Sequence, residues 1–380
     1  MPTTERQTVV QAREPLDLAE IFNLEDFERL AAGALDPATF AFVAAGAGDE
    51  LTLARNRSAF ARWCLLPRAF ADVSDVSTAT KVLGQEISMP ALVAPMGLQR
   101  IVHPEGECEM ARGVERAGTI MCVSTVSTRS PAEIAQTGVG RWFQLYAFRD
   151  RGLTRELIEQ ARQHGYSALV LTADGAVIGR RERPLRTGFA FAADVTIPSC
   201  GPWLGAPAGA DPVQLGKMMD RSLSWDGVAE IAELAQMPLV VKGLLSPQDA
   251  DLACAHGVAA IVVSNHGGRQ LDGAPASLDA LPGIVEAVDG RAEVLLDGGV
   301  RRGTDVLVAL ALGAKAVLLG RPVYWGLSVA GARGVAATLA LLRAEIEQAL
   351  TLLGCKEPGE VARERVVAER ALRAQAAGAR

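Results

Sequence analysis

Ala260-Ile261-Val262-Val263-Ser264-Asn265-His266-Gly267-Gly268-Arg269 is the stretch on which the reading of this chain turns. Its four leading apolar residues lack period-two alternation, so they read as a strand buried on both faces. The glycines end that strand in a tight turn. The turn sets an imidazole three residues from a permanent cation. A base beside a guanidinium suits holding an anionic substrate while taking a proton from it. Taken alone, His-x-x-Arg is more simply a loop histidine near a surface arginine. The rest of the chain reverses that judgement.

The same pattern recurs from about residue 90 onward: a short run rich in Val, Ile and Leu, a polar or glycine-bearing turn, then a helical stretch. The runs are Ala91–Ala94, Thr119–Val123, Trp142–Leu145, Ala168–Leu171, Leu239–Val241, Ala260–Val263, Val294–Leu296 and Ala316–Leu319. Strands alternating with helices pair in parallel, because each crossover needs a helix to bring the chain back. Eight of them predict an α/β fold, a (β/α)8 TIM barrel; a doubly wound open sheet is the alternative. No early GxGxxG follows a strand, which weakens the dinucleotide-fold reading.

Before the barrel, Asn23–Ala34 and Pro37–Ala45 read as helices with Asn23 and Asp36 as N-caps, forming an N-terminal helical cap. Residues 188–222, rich in Gly, Pro and Ala, form an inserted loop after strand 4, either a mobile lid or a passive surface loop. Residues 1–15 read as a disordered N-terminus, 16–358 as one domain and 359–380 as a solvated C-terminal tail.

The bulk properties narrow the class. The 380 residues are 49% hydrophobic, enough for a large core, and carry a net charge of −6. No Lys/Arg block is present, so no nucleic-acid partner is expected. Six scattered cysteines without CxxC spacing read as reduced thiols in a cytoplasmic protein, with no metal site. Met1–Arg6 is polar, without an apolar signal core. The longest apolar stretch, Val306–Leu319, is interrupted by Gly313 and Lys315 and reads as a helix then a strand, not a membrane span.

In such a barrel the chemistry gathers at the C-terminal ends of the strands. The eight runs lead in turn into Pro95-Met96-Gly97, Ser124, Gln144 and Tyr146, Thr172 and Asp174 with Arg180-Arg181, Lys242-Gly243, Ser264-Asn265-His266, Asp297-Gly298-Gly299 with Arg301, and Gly320-Arg321. The last two turns read as a phosphate site: glycines let backbone N–H groups approach an anion, and Arg301 and Arg321 add charge. Asp297 would repel a phosphate, so it is assigned to hydroxyls of a linking chain. Lys242 is placed to balance an anion developing on a cofactor. Ser124, Gln144 and Thr172 suit the polar edge of a flat heterocycle. Together these features fit flavin mononucleotide. Arg181 and Arg269 then suit a substrate carboxylate, Tyr146 its hydroxyl or carboxylate, and His266 the base. Asp174 is either the partner that orients the imidazole or a turn cap.

On these motifs the chain resembles the FMN-dependent 2-hydroxy acid oxidases and dehydrogenases, from about residue 22 to about residue 355. The most specific segment is Ser264-Asn265-His266-Gly267-Gly268-Arg269-Gln270-Leu271-Asp272. His103-Pro104-Glu105-Gly106-Glu107, Phe143-Gln144-Leu145-Tyr146, Gly179-Arg180-Arg181-Glu182, Leu296–Asp305 and Leu319-Gly320-Arg321-Pro322 match as well. The resemblance implies bound FMN, held by Pro95, Met96, Gly97, Ser124, Gln144, Thr172, Lys242, Ser264, Asp297, Gly298, Gly299, Arg301, Gly320 and Arg321. It also implies His266 as base with Asp174 behind it, Arg181 and Arg269 on the carboxylate, Lys242 near flavin N1 and O2, and a homotetramer.

Two positions, Phe42 and Val126, tune the expected substrate, and a third, Gly97, leaves open whether oxygen or another acceptor meets the reduced flavin. Phe42 stands where the family usually has a carboxylate-binding tyrosine, Val126 where glycolate oxidases have tryptophan, and Gly97 where many oxidases have alanine. An apolar wall and extra room favour an aryl or bulky (S)-2-hydroxy acid, mandelate or 4-hydroxymandelate. The expected reaction gives the 2-oxo acid, with O2 reduced to H2O2. The alternatives are oxidative decarboxylation of the lactate 2-monooxygenase kind, or a soluble dehydrogenase using another acceptor.

Overall fold

The computed structural model describes residues 18–206 and 209–378; the disorder expected for residues 1–15 lies outside them. Eight strands close a parallel barrel: β1 (Ala91–Val93), β2 (Ile120–Ser124), β3 (Gly140–Leu145), β4 (Leu169–Thr172), β5 (Leu239–Leu244), β6 (Ala260–Val263), β7 (Glu293–Asp297) and β8 (Ala316–Leu319). Each strand pairs with its chain neighbour, and β8 returns to β1. The open-sheet alternative is thereby excluded. β5 runs beyond Val241 because Lys242 and Leu244 still pair with β6, their register shifted across Gly243.

The barrel interior is apolar at its N-terminal end. Leu92, Ile120, Trp142, Val170, Val240, Val262, Leu295 and Leu318 share one core. A hairpin of two short strands, Thr80–Val82 and Gln85–Ile87, adds Val82 and Ile87 to it. The Leu83 N–H donates to the Glu293 carboxylate at 2.9 Å, fixing the hairpin on β7. Trp142 is fully buried there; its truncation to alanine costs about 3–5 kcal/mol.

The helices form for local reasons and bury one stripe each. Arg151–Gln163 starts at Asp150, whose side chain accepts from Gly152 and Leu153 N–H, and buries Leu153, Leu157, Ile158 and Ala161. The long helix Arg321–Leu353 has the length and apolarity of a bilayer span. Most of its large apolar residues are core, packed on Gly106–Ala117 and Leu24–Ala34, with Leu352 exposed at its end, and it breaks at Ala330-Gly331.

The N-terminal cap begins as expected. Asn23 makes a capping box with Asp26 for Leu24–Ala34, and Asp36 caps Pro37–Ala44. A third helix, Leu51–Ser58, was not foreseen. Its start is capped from far away: the Asp272 carboxylate accepts from Asp49 N–H at 3.0 Å and Thr52 N–H at 2.9 Å.

The insert after β4 is packed down, with Ile197, Cys200 and Leu215 fully buried. Phe189 within it stacks on Phe42 of the cap at 4.3 Å between ring centroids. The reading of 359–380 as a solvated tail needs correcting. Val366–Ala368 pairs antiparallel with Trp63–Leu65, and Val361, Arg365 and Val366 are buried. The charged residues there obscured a short strand that covers the core edge.

Candidate active site

One cavity opens at the C-terminal ends of the strands. Measured to its open mouth it holds about 1100 Å³. Its floor is a layer of polar side chains built by register. Parallel pairing sets Ser124 beside Gln144 and Thr172 beside Lys242. Ser124 Oγ donates to Gln144 Oε1 at 2.9 Å, and Gln144 Nε2 to Thr172 Oγ1 at 2.9 Å. Lys242 Nζ bonds Ser264 Oγ at 2.8 Å and pairs with Asp297 Oδ2 at 2.8 Å. Burial opposes the charge on Lys242, but Asp297 and Asp174 outweigh it and hold its pKa above the ordinary lysine value. The lysine is therefore charged.

His266 sits in the left-handed region at φ 59°. Its Nδ1 meets Asp174 Oδ1 at 3.0 Å, which settles the choice between orienting partner and turn cap. Burial works against ionisation of Asp174, but His266 and Lys242 outweigh it and keep the carboxyl below its usual range. An ionised Asp174 accepts the Nδ1 proton, so the lone pair lies on Nε2. Burial pushes the imidazole pKa down, the Lys242 and Arg181 charges push it further, and Asp174 opposes them only in part. His266 is thus neutral at neutral pH and fit to accept a proton. Burial raises the Tyr146 hydroxyl to about 12, with Asp174 adding to it, so Tyr146 is a donor.

Four guanidiniums line the same cavity: Arg181, Arg269, Arg301 and Arg321. Among the described residues none of the four forms an ion pair with a carboxylate. Arg181 spends only Nε, on the Arg269 carbonyl at 3.4 Å. Arg269 donates to the carbonyls of Phe42, Val43 and Ala45. Arg321 donates to those of Val43, Ala45 and Gly267. The carbonyl end of the helix Pro37–Ala44 thus orients two arginines that lie 52 positions apart in sequence. Burial lowers Arg321 to about 9, with Arg301 adding to it, and lowers Arg301 to about 10, with Arg57 adding to it. Cations depressed by burial and by one another mark a place short of anions.

The expected cofactor can be tested against these atoms. A phosphate fits Arg301 and Arg321 beside the N–H groups of Gly298 and Gly299. Asp297 Oδ1 is buried without a partner, as an acceptor for a chain hydroxyl would be. Lys242 lies below, in the polar floor. The residues present fit FMN.

The sequence profile of the FMN-dependent dehydrogenases matches residues 31–368. The chain belongs to that family. It is 47% identical over 346 residues to the L-lactate oxidase of Nostoc sp., covering 88% of this chain and 95% of that protein. It is 42% identical over 356 residues to the glycolate oxidase of Spinacia oleracea, covering 92% and 96%. Among solved structures, mandelate oxidase with (S)-4-hydroxymandelic acid superposes with a TM-score of 0.85 at 41% identity, covering 90% of this chain and 98% of that one. This family member is accordingly an FMN-dependent oxidoreductase of 2-hydroxy acids.

Pro95, Met96, Gly97 and Gly320 also line the cavity, with Phe42 and Val126 on its wall. Gln144, Thr172 and Ser264 belong to the floor and Asp174 stands behind His266. The structure therefore brings together all the residues assigned from sequence to cofactor or substrate, while Arg180, named beside Arg181, points away and pairs with Glu182. Asp297, assigned to hydroxyls alone, is also the partner of Lys242. A Cβ on Gly97 would lie 2.5 Å from both the carbonyl oxygen and a methyl of Val126, so the turns after β1 and β2 touch through backbone. Sequence reasoning missed Tyr324, whose hydroxyl donates to the carbonyls of Gly97 (3.2 Å) and Leu98 (3.1 Å). It also missed Gln270, whose Nε2 donates to the Asp174 carbonyl. Gln270 lay inside the quoted signature; Tyr324 lay three residues past Arg321 in a helix that read as core.

Proposed function

We propose that this enzyme oxidises an aryl or bulky (S)-2-hydroxy acid, mandelate or 4-hydroxymandelate, to the 2-oxo acid, and that oxygen is reduced to hydrogen peroxide. The observation that carries the reading is His266, held neutral on Asp174, facing the same cavity as four arginines without carboxylate partners. In this reading Arg181 and Arg269 bind the carboxylate and Tyr146 donates to the hydroxyl or carboxylate. His266 Nε2 takes the substrate proton, and the imidazolium that forms is stabilised by Asp174. FMN, when bound, accepts two electrons from the substrate and delivers them to oxygen. Lys242 would supply fixed positive charge to it from the polar floor. Arg301, Arg321 and the Gly298-Gly299 turn hold the phosphate.

The aryl preference is supported by the aromatic wall. Phe42 stacks on Phe189 and meets Phe191 edge-on at 5.5 Å. Of these rings Phe42 lines the cavity, backed by the other two; it offers an apolar ring contact to an aryl side chain and none to the hydrogen of glycolate. The likeness to mandelate oxidase points the same way. The six unpaired cysteines support a reducing, cytoplasmic setting, and the family resemblance supports a homotetramer, which light scattering checks. The test of function is anaerobic bleaching of the FMN-loaded protein by glycolate, L-lactate and (S)-mandelate, followed by product analysis in air. The expected outcome is the highest kcat/KM for (S)-mandelate, with benzoylformate and free peroxide. A clear glycolate preference overturns the substrate reading, and a shortened acid with CO2 overturns the oxidase outcome.

A further inference from the structure

Asn56 lies outside the barrel, in the cap helix Leu51–Ser58, yet it is only 2% exposed. Its side chain makes a reciprocal pair with Asn265. Asn56 Nδ2 donates to Asn265 Oδ1 at 2.8 Å, and Asn265 Nδ2 donates to Asn56 Oδ1 at 2.7 Å. Backbone partners fix both amide orientations. Asn265 Oδ1 accepts from Gly268 N–H at 3.0 Å, and Asn265 Nδ2 donates to the Pro275 carbonyl at 2.9 Å. Asn56 Oδ1 accepts from Ser277 N–H at 3.3 Å.

Two loops of the active site meet at this pair. One is the turn after β6, where His266, Gly267 and Gly268 all have left-handed backbone, at φ 59°, 63° and 75°. A histidine in that region costs about 1–3 kcal/mol and persists only when its surroundings hold it. Asn265 closes the turn, and Asn56 supplies two of the hydrogen bonds that hold the Asn265 amide. The other loop is Gly298-Gly299. A Cβ on Gly299 would lie 2.0 Å from the Asn56 carbonyl oxygen, and one on Gly298 would lie 3.2 Å from Asn56 Nδ2. The phosphate turn rests on the same residue.

We infer that Asn56 is a positioning residue for both ends of the site, aiming His266 through Asn265 and seating the phosphate turn through its own backbone and amide. It does not line the cavity itself. Truncating it leaves Asn265 with a buried donor and acceptor short of partners, so the turn relaxes and the imidazole leaves its line on the substrate. The inference rests on the proposed function for its kinetic part, and on the phosphate site alone for its binding part.

The test compares wild type with Asn56→Ala and Asn56→Asp. The aspartate keeps the acceptor for Ser277 but removes the donor to Asn265. In both variants anaerobic flavin reduction by (S)-mandelate should slow about 10- to 100-fold, as when a supporting partner of a catalytic group is lost. KM should stay within about threefold, because the carboxylate arginines are untouched. FMN affinity, read from recovery of FMN fluorescence, should weaken less, about three- to tenfold, because both variants keep the Asn56 carbonyl against Gly299 and alter only the amide packed against Gly298. Should Asn56→Ala fail to fold, Asn265→Ala probes the same pair from the other side and must slow reduction equally. FMN-loaded variants that reduce at the wild-type rate and bind FMN normally overturn the inference, whatever their melting temperature. Wild type that binds FMN but is bleached by none of the acids overturns the functional reading, and the FMN affinities alone then decide the role of Asn56.

Discussion

The cations at the mouth of the barrel fall into two groups that physics treats differently. Lys242 is buried against Asp297 at 2.8 Å, and its pKa is raised. Arg181, Arg269, Arg301 and Arg321 share the cavity without carboxylate partners, and the pKa of each is lowered. A paired cation belongs to the protein's own accounts of charge. Unpaired ones are held for something that arrives from outside. The difference separates charge that the protein balances by itself from charge left open for a bound anion, without reference to any relative.

Stability offers the strongest way to break that comparison. Lys242→Met leaves the Asp297 carboxylate buried and alone, and should lower the unfolding free energy of the FMN-free protein by about 3–5 kcal/mol in urea. Arg181→Met removes a cation that lacks a partner and should leave that free energy unchanged or raised. Equal losses in the two variants would show the grouping to be wrong.

Function should follow the opposite order. Arg181→Met should cut kcat/KM for a 2-hydroxy acid about 100- to 1000-fold, the cost of losing a desolvated charged hydrogen bond to carboxylate. FMN content should be unaffected. Arg321→Met should weaken FMN binding about 10- to 100-fold, measured by fluorescence titration, while the kcat of FMN-saturated enzyme changes far less. A variant at Arg321 that binds FMN normally would place the phosphate elsewhere.

The smallest effect is a displaced pH profile. His266 acts as a base only when neutral, so flavin reduction should fall as pH drops through its pKa. Burial and neighbouring cations lower that pKa, so the midpoint should lie below the ordinary imidazole value of about 6.5. Lys242→Met removes one of those cations and should move the acid limb up. Asp174→Asn removes the opposing anion and should move it down. Shifts of the same sign in both variants would contradict the electrostatics described here.

The eight strands were legible because each is a continuous apolar run, and the site was legible because a parallel barrel puts every strand's polar end on one rim. His266 and Arg269 stood out through six consecutive residues. What stayed hidden depends on partners distant in the chain. The helix Leu51–Ser58 lacks a local cap because Asp272 supplies it. Asn56 looks like an ordinary helix polar residue until Asn265, 209 positions away, is folded against it. The strand Val366–Ala368 is only three apolar residues between charged neighbours, and it exists through pairing with Trp63–Leu65. Lys242 was recognised as a buried cation, but its link to Asp297 is set by the side-by-side pairing of β5, β6 and β7, which no local pattern contains.

The hairpin Thr80–Ile87 at the foot of the barrel has a consequence for traffic. Val82 and Ile87 stopper an axis already filled with aliphatic and indole groups up to the level of Leu318. The barrel is a cup rather than a pipe. Among the described residues the mouth framed by Phe42, Val126 and the arginines serves the incoming acid and the outgoing oxo acid alike, so the two must take turns.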